Sequence, residues 1–199
     1  MMTTFIFITA FVSGFVMMGF EIFGTRVLAP YFGDGMHVWG AMIAVVLSGL
    51  SLGYAMGGVA ADRKNPRKVL ILTMLAAGVL LLLFPLSGQF VCRLIDSFNL
   101  DRKTSTLIAA VILFLVPSFF IGCISPLLVK LKVRSVNSVG QESGIIYSIA
   151  TVGSIAGTLI TAFFLIGAPL GSLKTIALFG GILILNASLV AIMPKRSKK

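Results

Sequence analysis

Residues 13–67 read SGFVMMGFEIFGTRVLAPYFGDGMHVWGAMIAVVLSGLSLGYAMGGVAADRKNPR. The first part closes an apolar run that begins at Thr4 and lasts to Ala29. As a helix that run is about 39 Å long at about 1.5 Å per residue. A hydrocarbon core is about 30 Å thick, so the run is long enough to cross it with some tilt. Pro30 is expected to stop this helix. A second apolar run follows from His37 to Ala61, and then the short charged loop Asp62–Arg67. Two such runs joined by short polar turns are the pattern of a polytopic membrane protein.

Composition extends that reading to the whole chain. Of 199 residues, 58% are hydrophobic and 11% charged, and mean hydropathy is +1.08. Apolar runs predict six spanning helices, at about 4–29, 37–61, 69–91, 104–129, 144–166 and 173–193, in one domain covering 1–199. The predicted fold class is all-α, and no period-two alternation supports a barrel. The N-terminal run is read as the first span rather than a cleaved leader, because no basic residue precedes it and it is too long. After the third span, FVCRLIDSFNLDRK fits either a short interfacial helix or a plain extension of the span. Pro85 and Pro117 are expected to disturb the third and fourth helices.

The net charge of +10 does not point to nucleic acid. The basic residues sit in the loops between apolar runs. One set of loop ends carries eleven Lys and Arg and the other carries four. The positive-inside rule therefore puts both termini in the cytoplasm. Trp39, Tyr31 and His37 then fall at the outer interface. Cys92 and Cys123 lack metal-ligand spacing, and His37 is the single histidine, so no metal or cofactor is expected.

Glu21 is the sharpest residue. An acidic side chain this deep in a span costs on the order of 2–3 kcal/mol on insertion scales. It is either a structural glutamate paired with a neighbouring helix or part of a substrate or proton path. Arg26 lies five residues on, about 140° around the helix, so the two are poor partners. Arg26 is either an interfacial anchor or a site residue. Tyr54, Tyr147 and Ser148 are candidates to stand around Glu21 with hydroxyls or an aromatic face for an amine. Gly49, Gly53 and Gly57 share one helical face, as do Gly153 and Gly157. Glycines four apart let helix backbones approach closely, either within one bundle or at a dimer contact. Asp62 opposes the dipole at a helix C-terminus and is expected to pair with a basic group or another helix N-terminus.

The loop from Gly57-Gly58 to Lys68 resembles the loop between the second and third helices of major facilitator transporters. There, glycine, aspartate and basic residues form a conformational latch. Asp62 and Arg63 match its core, and Asn65-Pro66 departs from it. The wider sequence resembles the membrane region of the spermidine-synthase-associated membrane proteins, often described as fused facilitator-like and spermidine synthase proteins. The resemblance is carried by Gly19-Phe-Glu21, Thr25-Arg26, Leu28-Ala-Pro30, Trp39-Gly40, SGLSLGYAMGG and AADR, and further by Gly122-Cys-Ile-Ser-Pro126 and Tyr147 to Gly157. It implies a half-facilitator-like bundle with a 3+3 inverted repeat in a bacterial inner membrane. The expected function is a module that binds or moves a small solute, such as a polyamine-like cation, coupled to protons through Glu21. Self-association as a homodimer would supply the second half. The alternative is a non-transporting scaffold for a cytoplasmic synthase-like enzyme. No G-x-G-x-x-G and no nucleophile–base constellation is present, so catalysis is not expected of this chain.

Overall fold

The computed structural model describes residues 2–133, 135–167, 169 and 171–192, apart from the side chains of Met2 and Asn137. Its long helices are α1 (Met2–Phe32), α2 (Met36–Arg63), α3 (Pro66–Asp96), α4 (Arg102–Lys132), α5 (Val139–Leu165) and α6 (Ser172–Ile192). All six are long and apolar enough to cross a membrane, and no strand occurs among the described residues. The chain is an all-α protein with six candidate membrane spans, as the apolar runs predict. Met193 lies outside the described residues.

The helix ends depart from expectation for identifiable reasons. Pro30 does not stop α1, because a proline this near the end removes little more than one backbone donor. The helix stops instead at Gly33, which has φ +88° and donates its N–H to the Ala29 carbonyl at 2.9 Å. That left-handed residue just past the last turn suits glycine. α3 opens on Asn65, whose side chain accepts from the N–H groups of Arg67 and Lys68, with Pro66 at the first helical position. It then continues unbroken through Pro85 to Asp96. The stretch after the third span is thus a plain extension. Its Cys92 and Ile95 are buried while Phe90 and Leu94 are exposed. In α4 a π-helical turn, Val111–Leu115, lies just before Pro117. A wider turn there accommodates the proline ring and its missing donor. A second π turn, Thr161–Leu165, ends α5.

Glycine decides which helices pair. The most extensive contacts join α2 with α4, α3 with α6, and α1 with α5. In the first pair, a Cβ at Gly49 would stand 2.7 Å from Ser118 Cβ, and one at Gly57 2.8 Å from Cys123 Cα. A Cβ at Gly53 would meet the Phe119 carbonyl oxygen. Gly153 and Gly157 press on the Phe11 and Phe15 carbonyls of α1, and Gly14 on the Ala150 carbonyl of α5. Gly78 and Gly180 do the same between α3 and α6. Lipid gives helices no hydrophobic drive to associate, so such close backbone approach supplies the dispersion that holds them. The Gly49-Gly53-Gly57 and Gly153-Gly157 faces are therefore filled inside this chain. Of the two alternatives for these faces, packing within one bundle is the one the structure shows.

α1 and α4 are the most covered helices and α5 the least. Between α1, α3 and α4 sits a cluster of Phe20, Phe84 and Phe114, with ring centroids 4.9–5.5 Å apart. Two polar links tie α6 to the rest. Thr9 of α1 donates its hydroxyl to Asn186 Oδ1 at 2.8 Å. Arg67 donates Nη2 to the carbonyls of Val190 and Ala191 at 2.9 and 3.0 Å. A cation beside carbonyls near this end of α6 suits the helix dipole. We call the end where α1 begins and α6 finishes the terminal end, and the other the distal end. Tyr31, His37 and Trp39 all lie at the distal end, where α1 passes into α2.

Candidate solute-binding cleft

Where α1, α2, α4 and α5 converge they leave a cleft of about 150 Å³. α1 contributes Ser13, Gly14, Met17 and Met18, and α4 contributes Ile121 and Ser125. α2 contributes Leu50 and Tyr54, and α5 contributes Tyr147, Ala150, Thr151 and Ser154. The glycine seams create it: they draw α2 onto α4 and α5 onto α1, and the larger side chains beside each seam cannot close the gap between the two pairs. The lining holds hydroxyls, thioethers and aromatic rings, with no charged side chain.

The hydroxyl protons of three of these residues are already committed. Ser13 donates to the Ala10 carbonyl at 2.9 Å, Thr151 to the Tyr147 carbonyl at 2.8 Å, and Ser154 to the Gly14 carbonyl at 3.4 Å. A hydroxyl has one proton and two lone pairs. These three therefore offer the cleft acceptors and no donors. Together with two tyrosine rings, that favours a ligand that donates hydrogen bonds and carries positive charge.

The candidate residues divide. Tyr54 and Tyr147 both line the cleft. Ser148 is exposed on α5 and does not line it. Glu21 also lies outside the lining. It sits on the same side of α1 as Gly14 and Met17, about one turn further along, which is about 6 Å of rise. It is half-buried, and among the described residues it has no hydrogen bond or ion pair. Among the described residues no neighbouring helix supplies it with a partner. Arg26 is exposed at the distal end and belongs to two other cavities, so the structure does not bring it to the tyrosines.

Asp62 pairs with Lys130 of α4, Nζ to Oδ1 at 2.7 Å, both well exposed. It thus finds the basic group expected of it. Such a surface pair contributes at most about 1 kcal/mol. Arg63 is exposed beside it. Outside the spans, Asp101 caps α4. The Thr104 hydroxyl donates to it at 2.8 Å, and the Lys103 and Thr104 N–H groups donate as well. These bonds hold its pKa below the ordinary carboxylate value, the Thr104 hydroxyl contributing most.

Sequence reading missed Ser13, Met17, Met18, Ser125 and Ser154. The signal was present in part. On α1, Gly14, Met17 and Glu21 recur at helical spacing, which marks one face as small and polarisable amid phenylalanines. Ser125 carried no such mark. No family model matches this chain, and no curated protein or solved structure matches it.

Proposed function

We propose that this chain is a half-transporter-like membrane module that binds a small organic cation in the α1–α2–α4–α5 cleft. The observation that carries this reading is that Tyr54 and Tyr147 line one cleft with the Ser13, Thr151 and Ser154 hydroxyls, whose protons are already donated to backbone carbonyls. Glu21, one turn along α1 and without a partner among the described residues, is then the group that neutralises the cation or exchanges a proton for it as water reaches the cleft. The probe class is a polyamine-like ammonium. The helix pairing supports a 3+3 repeat: exchanging α1–α3 with α4–α6 turns the α1–α5 pair into α4–α2 and leaves α3–α6 in place. The thin cover on α5 and the cleft's opening support a second copy as the missing half. That copy would seat on the exposed sides of α2 and α5, since the glycine faces are occupied. The distribution of Lys and Arg supports cytoplasmic termini in a bacterial inner membrane.

The test is uptake of radiolabelled spermidine into liposomes containing only this chain, with a proton gradient imposed. Wild type accumulates the amine. Glu21→Gln, which keeps shape and hydrogen bonding, folds normally and does not. Uptake unchanged in Glu21→Gln, or none in wild type, contradicts the proposal.

A scaffold reading has one observation in its favour. Arg63, Lys64, Lys68 and Lys130 are all exposed at the terminal end, a basic surface for an acidic partner such as a synthase-like enzyme or for anionic lipid. Amine uptake by the isolated chain separates the two readings.

A further inference from the structure

At the distal end, α1, α3 and α6 border a separate, open cavity of about 360 Å³. Arg26 and Lys174 both line it, and no carboxylate does. Among the described residues neither cation has an ion pair. Asp34 shares a different cavity with Arg26 and lies outside ion-pair distance. Tyr31, Gln89 and Ser172 add neutral donors, and Leu173 adds an apolar wall. α6 begins at this cavity, and the first N–H groups of a helix lack intrahelical partners.

Two like charges lining one cavity repel each other unless an anion lies between them. An arginine fork, an ammonium and several neutral donors offer more hydrogen bonds than a carboxylate has positions to accept. A phosphate has the oxygens to take them, and guanidinium meets it in bidentate fashion. The cavity also lies at the helix ends, the level of lipid headgroups. We propose that it holds a phosphate group, either the phosphodiester of a phospholipid headgroup or a soluble phosphate. This stands independently of the amine cleft.

The experiment uses the full chain in detergent micelles doped with phosphatidylglycerol and, separately, with inorganic phosphate. Native mass spectrometry reads retained lipid, and thermal unfolding reads stabilisation by phosphate. Wild type is expected to bind. Arg26→Gln combined with Lys174→Gln is expected to bind about tenfold more weakly or worse, as loss of charged hydrogen bonds implies. Lys103→Gln, an exposed cation at the same end but outside this cavity, is expected to change nothing. Displacement of lipid by inorganic phosphate assigns the site to a soluble anion, and lipid retained against phosphate assigns it to a headgroup. If the double variant fails to fold, the single exposed change Lys174→Gln carries the comparison, with weaker binding expected. Equal binding by wild type and the folded variant, an equal loss in Lys103→Gln, or no binding of either probe overturns the proposal.

Discussion

Thr9 and Asn186 are the two side chains that hydrogen-bond across α1 and α6 inside the apolar core. In lipid such a bond is worth on the order of 0.5–1.5 kcal/mol. Thr9→Val should destabilise by about that much, because Asn186 Oδ1 loses its donor. Thr9→Val with Asn186→Leu should cost less than the two single changes added together, since neither partner is then left orphaned. Unfolding titrations of the four proteins check this, and strict additivity would show that the bond does not couple them. At this scale the sequence was legible where chemistry is rare. Glu21 announces itself as a carboxylate in an apolar run, and it is unpaired among the described residues. Asn186 is polar and buried, yet its role depends on Thr9, which is 177 residues away. No local pattern reveals such a pair. Ser13, Ser125 and Ser154 were silent for the same reason, since a serine in a span reads as packing until the opposing helix is known.

At the scale of the helix, glycine spacing marked the close-packed faces but not what covers them. Gly49, Gly53 and Gly57 could serve a second copy or a neighbouring helix. The structure fills them with α4, through the backbone near Phe119 and Cys123. Gly53→Leu should therefore destabilise the single chain by about 1–3 kcal/mol or more, as overpacking of a tight seam does. Loss of a dimer with unchanged single-chain stability would contradict the seam. Helix starts carry a second prediction. Hydrogen bonds to ionised Asp101 hold its pKa below the ordinary value of about 3.9. A depressed carboxyl contributes stability that is fully present above the unfolded value and is lost as pH falls through the folded one. Amide exchange at Lys103 and Thr104 should be slow and unchanged down to about pH 4, and protection should fall below it. Asp101→Ala should abolish the protection at neutral pH. Protection that is indifferent to Asp101→Ala would remove the cap from the account. Boundaries were the least legible feature here. Pro30 looked like a stop, but the terminator was Gly33, whose positive φ only three-dimensional structure reports.

For the whole molecule, six apolar runs were sufficient to fix the class, because hydrocarbon admits few alternatives to helices. What they could not fix was arrangement. The pairing of α2 with α4, α1 with α5 and α3 with α6 follows from glycines distributed over all six helices, and two of these, Gly78 and Gly180, attract no notice in sequence. The arrangement produces the cleft, and the cleft brings Tyr54 and Tyr147 together. The measurement that bears most directly on the central claim is equilibrium binding of labelled spermidine to the purified chain in lipid nanodiscs, comparing wild type with Tyr147→Ala. The account predicts saturable binding by wild type, weakened about fivefold or more in Tyr147→Ala through loss of one aromatic face, with thermal unfolding little changed. Absence of saturable binding, or binding of equal strength in Tyr147→Ala, would contradict it.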